Sequence, residues 1–325
     1  MNSLLLPLLR ALSDGEFHSG EALAQRFGMS RASVWNALQA AQAAGAVLHK
    51  VRGRGYRLSG GASWLDAAAI RHLPGAEAFT LEVVDSIDST NAELMRQALA
   101  GAPHRSCLAA EIQHAGRGRR GREWHSVPGG SLTFSVLWRF NQGMSALSGL
   151  SLAVGVALLR SLREFGAADL QLKWPNDLLW QYRKLAGILI EVQGDVMGPS
   201  VAIIGIGINL QLPSAVRHEI DQAVTDLAEI VASPIDRNTL LGSLLRHLHD
   251  VMADFEAQGL TRLRGEWLDA HAYHDKPVRV LLANGNDLCG KVVGLDEDGA
   301  LVLEDAGGQH SRVNSGEVHL TRRAS

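Results

Sequence analysis

Three regimes of apolar spacing follow one another along the chain. In the first sixty positions the spacing is helical: Leu4 to Leu12 reads as an apolar helix ended at Asp14-Gly15, and Ser19 caps a second carrying Leu23 and Phe27 four apart. Gly28-Met29 makes a tight turn. Ser30 then caps a third helix whose Val34, Ala37, Leu38 and Ala41 share one face, while Arg31, Asn36, Gln39 and Gln42 share the other. The stretch VLHKVRGRGYRL alternates apolar and basic residues around Gly53-Arg54-Gly55, which predicts a two-stranded hairpin. This is helix-turn-helix order followed by a wing.

From Trp64 to about Trp267 the runs TLEVVDS, CLAAEIQ, SLTFSVLW, LQLKW, KLAGILIEV and VAIIGIGI predict strands, with helices at Ala92 to Ala100, Ser145 to Phe165 and Arg237 to Phe255. A sheet covered by helices is expected. After Lys276, short strands broken by NGND, DEDG and AGGQ suggest a small barrel. The run Ser59-Gly60-Gly61-Ala62-Ser63 has linker composition. The expected organisation is therefore α+β in three domains, 1–62, 63–272 and 273–325, without a fixed-period repeat or low-complexity tract.

Composition narrows the function classes. With 325 residues, 46% of them hydrophobic, the chain can bury cores without disulfides or structural metals. The longest nearly apolar run, Ala146 to Leu159, is broken by Ser and Gly and falls short of the ~20 residues of a membrane span. No export signal is expected either, which predicts a cytoplasmic protein. Cys107 and Cys289 lack metal-ligand spacing and read as inert thiols of a reducing compartment.

The net charge of −3 hides a split, because residues 1–60 hold seven basic against three acidic residues. One end suits a polyanion. Two short helices at a glycine turn also occur in ordinary helical cores, but the local positive charge, the polar outer face of the third helix and the basic hairpin favour DNA. Ser30, Arg31, Ala32, Ser33, Trp35 and Asn36 are expected at or near base edges. The wing, with Lys50, Arg52, Arg54 and Arg57, is expected on phosphates.

The segment Gly116 to Arg122 packs four arginines and three glycines into seven residues. Glycines allow close backbone approach and guanidinium forks match carboxylate and phosphate oxygens, so this loop is expected to hold an anion. Gly116, Gly118 and Gly121 fit the G-x-G-x-x-G dinucleotide pattern, yet another loop follows where a helix is required. GNDLCGK at Gly285 to Lys291 approaches a phosphate-binding loop but ends in Val292 instead of a hydroxyl residue, and lies between strands. A hairpin turn is the better reading. In Lys173-Trp174-Pro175-Asn176-Asp177 and Lys184-Leu185-Ala186-Gly187, a lysine at the mouth of a buried strand beside a glycine is costly unless it faces a ligand. Lys184 is the leading candidate for an active-site cation. Thr90 and Glu93 form a capping box, and the same helix start presents Ser89, Thr90 and Asn91 to a polar ligand. Asn209 either ends its strand or touches a base.

Taken in order, DSTN, E-x-Q-x-x-GRGRRGR-x-W, KWPND, KLAGILIE and GIGIN closely resemble the biotin protein ligases over nearly the whole chain. With the helix-turn-helix, the resemblance is to the bifunctional subgroup that also represses biotin synthesis genes. It implies a central mixed sheet with helices, of the class II synthetase-like ligase type, and a C-terminal SH3-like barrel. Carried over by motif, Ser89, Thr90, Asn91, Gln113, Arg117, Gly118, Arg119 and Gly187 would line the biotin pocket, with Lys184 near the carboxylate. Arg119, Arg122, Trp124, Lys173, Asn176, Lys184 and Asn209 would contact ATP, and Arg117, Arg119 and Lys184 would be catalytic. Glu123 stands where the family often has a basic residue. The run Leu210 to Asp221 resembles the family's adenylate loop only in place and polarity.

The resemblance further implies ATP with Mg2+, no protein-held metal, and biotinyl-5'-AMP as intermediate and corepressor. It also implies transfer of biotin to a lysine of the biotin carboxyl carrier protein of acetyl-CoA carboxylase. Biotin operator DNA and an adenylate-bound homodimer complete the partners, with no membrane. A lipoate-type ligase, or a ligand-sensing repressor without turnover, are the competing readings. The operator sequence, affinities and further carriers are not legible.

Overall fold

A computed structural model describes residues 4–59 and 63–321; Gly60, Gly61 and Ala62 of the expected linker lie outside them. In the first domain α1 (Leu5–Ala11), α2 (Gly20–Arg26) and α3 (Arg31–Ala43) precede the antiparallel pair β1 (Leu48–Val51) and β2 (Gly55–Leu58). Ser19 and Ser30 cap as their spacing predicts, each side chain accepting a backbone N–H at 3.0 Å. The predicted inner face of α3, Val34, Ala37, Leu38 and Ala41, is buried against the leucines of α1. His18 adds a residue-long third strand, since its N–H and C=O both bond Tyr56, at 2.9 and 2.8 Å.

The central domain runs α4 (Ala67–Arg71), β3 (Thr80–Ile87), α5 (Thr90–Leu99), β4 (Ser106–Gln113), β5 (Ser131–Phe140), α6 (Leu150–Glu164), β6 (Gln171–Lys173), β7 (Asp177–Trp180), β8 (Arg183–Gly194), β9 (Ser200–Asn209), α7 (Ser214–Glu219), α8 (Arg237–Gln258) and α9 (Arg264–Asp269). Its seven strands lie in the order β3-β4-β5-β9-β8-β7-β6. Only β3 and β4, joined across α5, are parallel, so the sheet is mixed. Leu94 of α5 packs with Leu108, Leu137 and Ile203 on one face. The larger core joins the sheet to α6 and α8.

Three details differ from expectation. The helix expected from Ser145 begins at Leu150, because Gly149 takes φ +80° and separates it from a short turn at Met144–Leu147. Strand β7, Asp177–Trp180, is not among the predicted strand runs, and residues 210–221 contain the helix α7. Among the described residues Met144–Glu164 does satisfy the length and apolarity of a membrane span, but it is mostly buried against the sheet and α8, as a core helix is.

The third domain pairs β10 (Pro277–Leu281), β11 (Asp287–Leu295), β12 (Leu301–Glu304), β13 (His310–Val313) and β14 (Glu317–Leu320) antiparallel in the order β13-β12-β11-β10-β14, the strand pattern expected of the small barrel. Gly285, in the false phosphate-loop pattern, lies with φ +84° in the turn between β10 and β11. The joint to the central domain is itself paired, since Leu172 N–H donates to Ala270 O at 2.8 Å and Ala272 N–H to Leu172 O at 2.9 Å. Where the chain leaves the linker, the buried Arg237 guanidinium donates to Ser63 O at 3.1 Å, Ser131 O at 2.9 Å and Glu111 Oε2 at 2.6 Å. Glu111 also accepts from Leu65 N–H at 2.6 Å. Leaving the linker, the chain is thus tied to the middle of the sheet.

Candidate functional site

An open cavity lies between the ends of β8 and β9, the arginine loop and β14. Its floor is set by two strand glycines. A Cβ at Gly205 would sit 2.2 Å from Asn91 Oδ1, and one at Gly207 would sit 2.3 Å from the Trp124 ring. Only glycine lets these side chains lie down on β9.

The polar wall begins at the N-terminus of α5. Ser89, Thr90 and Asn91 are buried. Gln113 Oε1 accepts from Thr90 N–H at 2.7 Å, and Ser135 Oγ lies 2.7 Å from Thr90 Oγ1 and 2.6 Å from Asn91 Oδ1. The Asn91 amide donates to Glu191 Oε2 at 2.8 Å, and Arg117 pairs with the same oxygen at 2.9 Å. Donors and acceptors therefore alternate along this wall, an arrangement suited to an amide-like ligand.

Opposite it stand the cations. Lys184 Nζ is 2.8 Å from Asp177 Oδ1, both side chains largely buried, and a Cβ at Gly187 would press on Lys184 Cε and Nζ at 3.0 Å. Arg119 donates to Asn176 Oδ1 at 3.0 Å, while Asn176 donates to Ile188 O at 2.7 Å. Burial lowers the Arg119 and Lys173 pKa values from their usual ranges, because a partly desolvated site holds a cation less favourably than water does. Among the described residues Arg119 is in no ion pair, whereas Arg122 pairs with Glu317 at 2.5 Å and Arg120 donates to Leu281 O at 2.9 Å. The arginine loop is thus pinned to the third domain at its far end.

All the expected biotin and ATP residues line this cavity except Asn209. Its amide donates instead to Thr225 O at 3.1 Å and faces Lys184 O at 3.5 Å, holding the chain after α7 against β8. The structure adds Asp177, Glu317 and, behind the polar wall, Ser135 and Glu191. Ser135 had a signal, the polar alternation of Ser131, Thr133 and Ser135 in an otherwise apolar strand. Asp177 and Glu191 end motifs already singled out. Glu317 had none, because it reaches the loop across 195 positions of sequence.

The second surface is on the first domain. Arg31, Ala32, Trp35, Lys50 and Arg52 line one groove between the start of α3 and the wing, with Trp35 exposed. Ser30 and Ser33 are spent on the helix cap, 2.8 Å apart.

Comparison with known proteins matches three successive parts of the chain. A family described as Biotin/lipoate A/B protein ligase matches residues 83–209, Biotin protein ligase C terminal domain matches 273–320, and HTH domain matches 5–57. The chain is 37% identical to the bifunctional ligase/repressor BirA of Escherichia coli over 94% of each chain. It is 36% identical to the biotin–[acetyl-CoA-carboxylase] ligase of Mycobacterium tuberculosis over 74% of this chain and 89% of that one. Among solved structures, the Aquifex aeolicus biotin protein ligase in complex with biotin and ATP superposes with a TM-score of 0.63 at 29% identity, covering 74% of this chain and 98% of that one.

Proposed function

Because the chain belongs to the family of bifunctional biotin ligase/repressors, we propose that it forms biotinyl-5'-AMP from biotin and ATP and transfers the biotinyl group to a lysine of the biotin carboxyl carrier protein of acetyl-CoA carboxylase. It also binds operator DNA and represses biotin synthesis genes with the adenylate as corepressor. The supporting observation is the convergence of Arg119, Lys173 and Lys184 on one cavity whose opposite wall carries the polar side chains of Ser89, Thr90, Asn91 and Gln113.

The first step brings two anions together. The biotin carboxylate oxygen attacks the α-phosphorus, forming the acyl-phosphate bond as pyrophosphate leaves. Arg117, Arg119 and Lys184 supply positive potential held in place before the charges meet, and need not act as nucleophiles. Arg122 and Lys173 reach the phosphates from the side of the third domain. Magnesium would come with the nucleotide and add its charge to theirs. In the second step a carrier lysine amine attacks the acyl carbon and AMP leaves. The adenylate-bound chain pairs into a homodimer in the cytoplasm, placing two helix-turn-helix units on a two-part operator.

Single-turnover formation of biotinyl-adenylate tests the site. Lys184→Ala should slow it by about 10²-fold or more, the usual cost of losing one preorganised electrostatic group. A normal rate would remove Lys184 from the mechanism. A carrier domain that gains no mass after incubation with ATP, biotin and the protein would overturn the ligase reading, and an unchanged sedimentation coefficient with both substrates present would overturn the dimer.

A further inference from the structure

The wing cations are backed by aromatic rings. The Arg54 guanidinium lies 4.5 Å and that of Arg57 4.8 Å from the centre of the same Phe17 ring, and Lys50 Nζ lies 5.7 Å from the Tyr56 ring. Phe17 belongs to neither α3 nor the wing. It sits in the loop before α2, next to His18, whose backbone exchanges two hydrogen bonds with Tyr56. Gly55 makes that approach possible, because a Cβ there would meet His18 O at 2.0 Å, and its φ is +107°. Asp14 holds the other end of the loop through the His18 ring at 2.8 Å. The ring is therefore fixed relative to the wing by backbone contacts.

Two guanidiniums on one ring repel each other. The negative ring face offsets part of that repulsion, and stacking leaves the guanidinium edges free to donate. Among the described residues none of Lys50, Arg52, Arg54 and Arg57 is in an ion pair, although carboxylates answer most arginines elsewhere in the molecule. Paired, ordered and uncompensated cations are an arrangement for a phosphodiester.

We infer that Phe17 is a positioning residue of the DNA interface, ordering Arg54 and Arg57 together so that both donate to the phosphate backbone. The inference rests on the DNA-binding reading above and adds Phe17 and the pairing of Arg57 with Arg54 to it. Ordering the side chains before contact lowers the entropy lost on binding.

The test is fluorescence anisotropy of the full chain on a random-sequence DNA duplex over a salt series, with amide hydrogen exchange in residues 5–58 of each variant as the check on folding. Arg54→Ala/Arg57→Ala should flatten the slope of log affinity against log salt by about two phosphate contacts. Phe17→Leu should weaken binding by about 5- to 10-fold, a shift of the size expected for cation–π contacts and side-chain ordering. Phe17→Tyr should restore it, and Phe17→Leu should have no further effect once both arginines are gone. Equal weakening by Phe17→Leu with and without the arginines, or none at all, would overturn the inference while leaving DNA binding intact. Failure of the unaltered chain to bind the duplex would overturn both.

Discussion

A methyl group added to Gly207 has nowhere to go while Trp124 stays where it is, because the nearest ring atom would be 2.3 Å away. The backbone there is regular strand, so alanine meets no conformational strain, only the indole. Gly207→Ala should therefore displace Trp124 from the cavity floor and lower kcat/KM for adenylation by about 10²-fold, the cost of misplacing a positioning group by an ångström. Its melting temperature should stay close to that of the unaltered protein, and a large fall would mean that the glycine serves the fold and not the ligand. In the sequence, GIGIN marked a strand and a motif, but the reason for its glycines was invisible. It lies in Asn91 and Trp124, brought onto β9 from other elements. Asn209, in the same motif, invited a ligand contact, and its amide supports the neighbouring chain through Thr225 O.

Helix α6 was legible from its apolar run, and α8 from its amphipathic spacing, yet the device that joins their polar edges was not. Glu164 ends α6 and accepts from Arg246 at 2.7 Å, Ser243 at 2.8 Å and the His247 ring at 3.0 Å, all on α8. Burial works against the Glu164 charge. The hydrogen bonds from Arg246, Ser243 and His247 outweigh it and hold the carboxyl at about 2, below its ordinary 4.5. A carboxyl lowered by folding stabilises the native state above the unfolded value, and that contribution disappears as pH falls through the folded one. Glu164→Gln should thus melt below the unaltered protein at neutral pH, with the gap closing between about 4.5 and 2. A constant gap across that window would show that the pair contributes through packing alone. Elements were missed for similar reasons. Strand β7 is four residues long and follows a proline turn, and α7, within a polar stretch, buries only Val216 of its own residues. Both are formed by the neighbours they meet, not by periodicity.

At the scale of the whole molecule, three domains with separate sequence signatures meet through contacts that no local pattern announces. Gln113 on β4 serves the ligand wall, its neighbour Ile112 packs with the buried leucines of the first domain, and Glu111 before it is half of the buried pair with Arg237. Consecutive residues of one strand thus touch the site, the DNA-binding domain and the end of the linker. The sequence showed CLAAEIQ as a strand, but an acid inside an apolar run reveals nothing about a partner 126 positions away. That pair carries a sharp prediction, since desolvating two charges is repaid only while both are present. Arg237→Met leaves Glu111 charged and unpaired in the core, and should cost about 3–5 kcal/mol in urea unfolding. Glu111→Gln added to it should recover much of the loss, because a neutral amide carries no buried charge. If the single change costs under about 1 kcal/mol, water reaches the pair and the junction is looser than its hydrogen bonds imply.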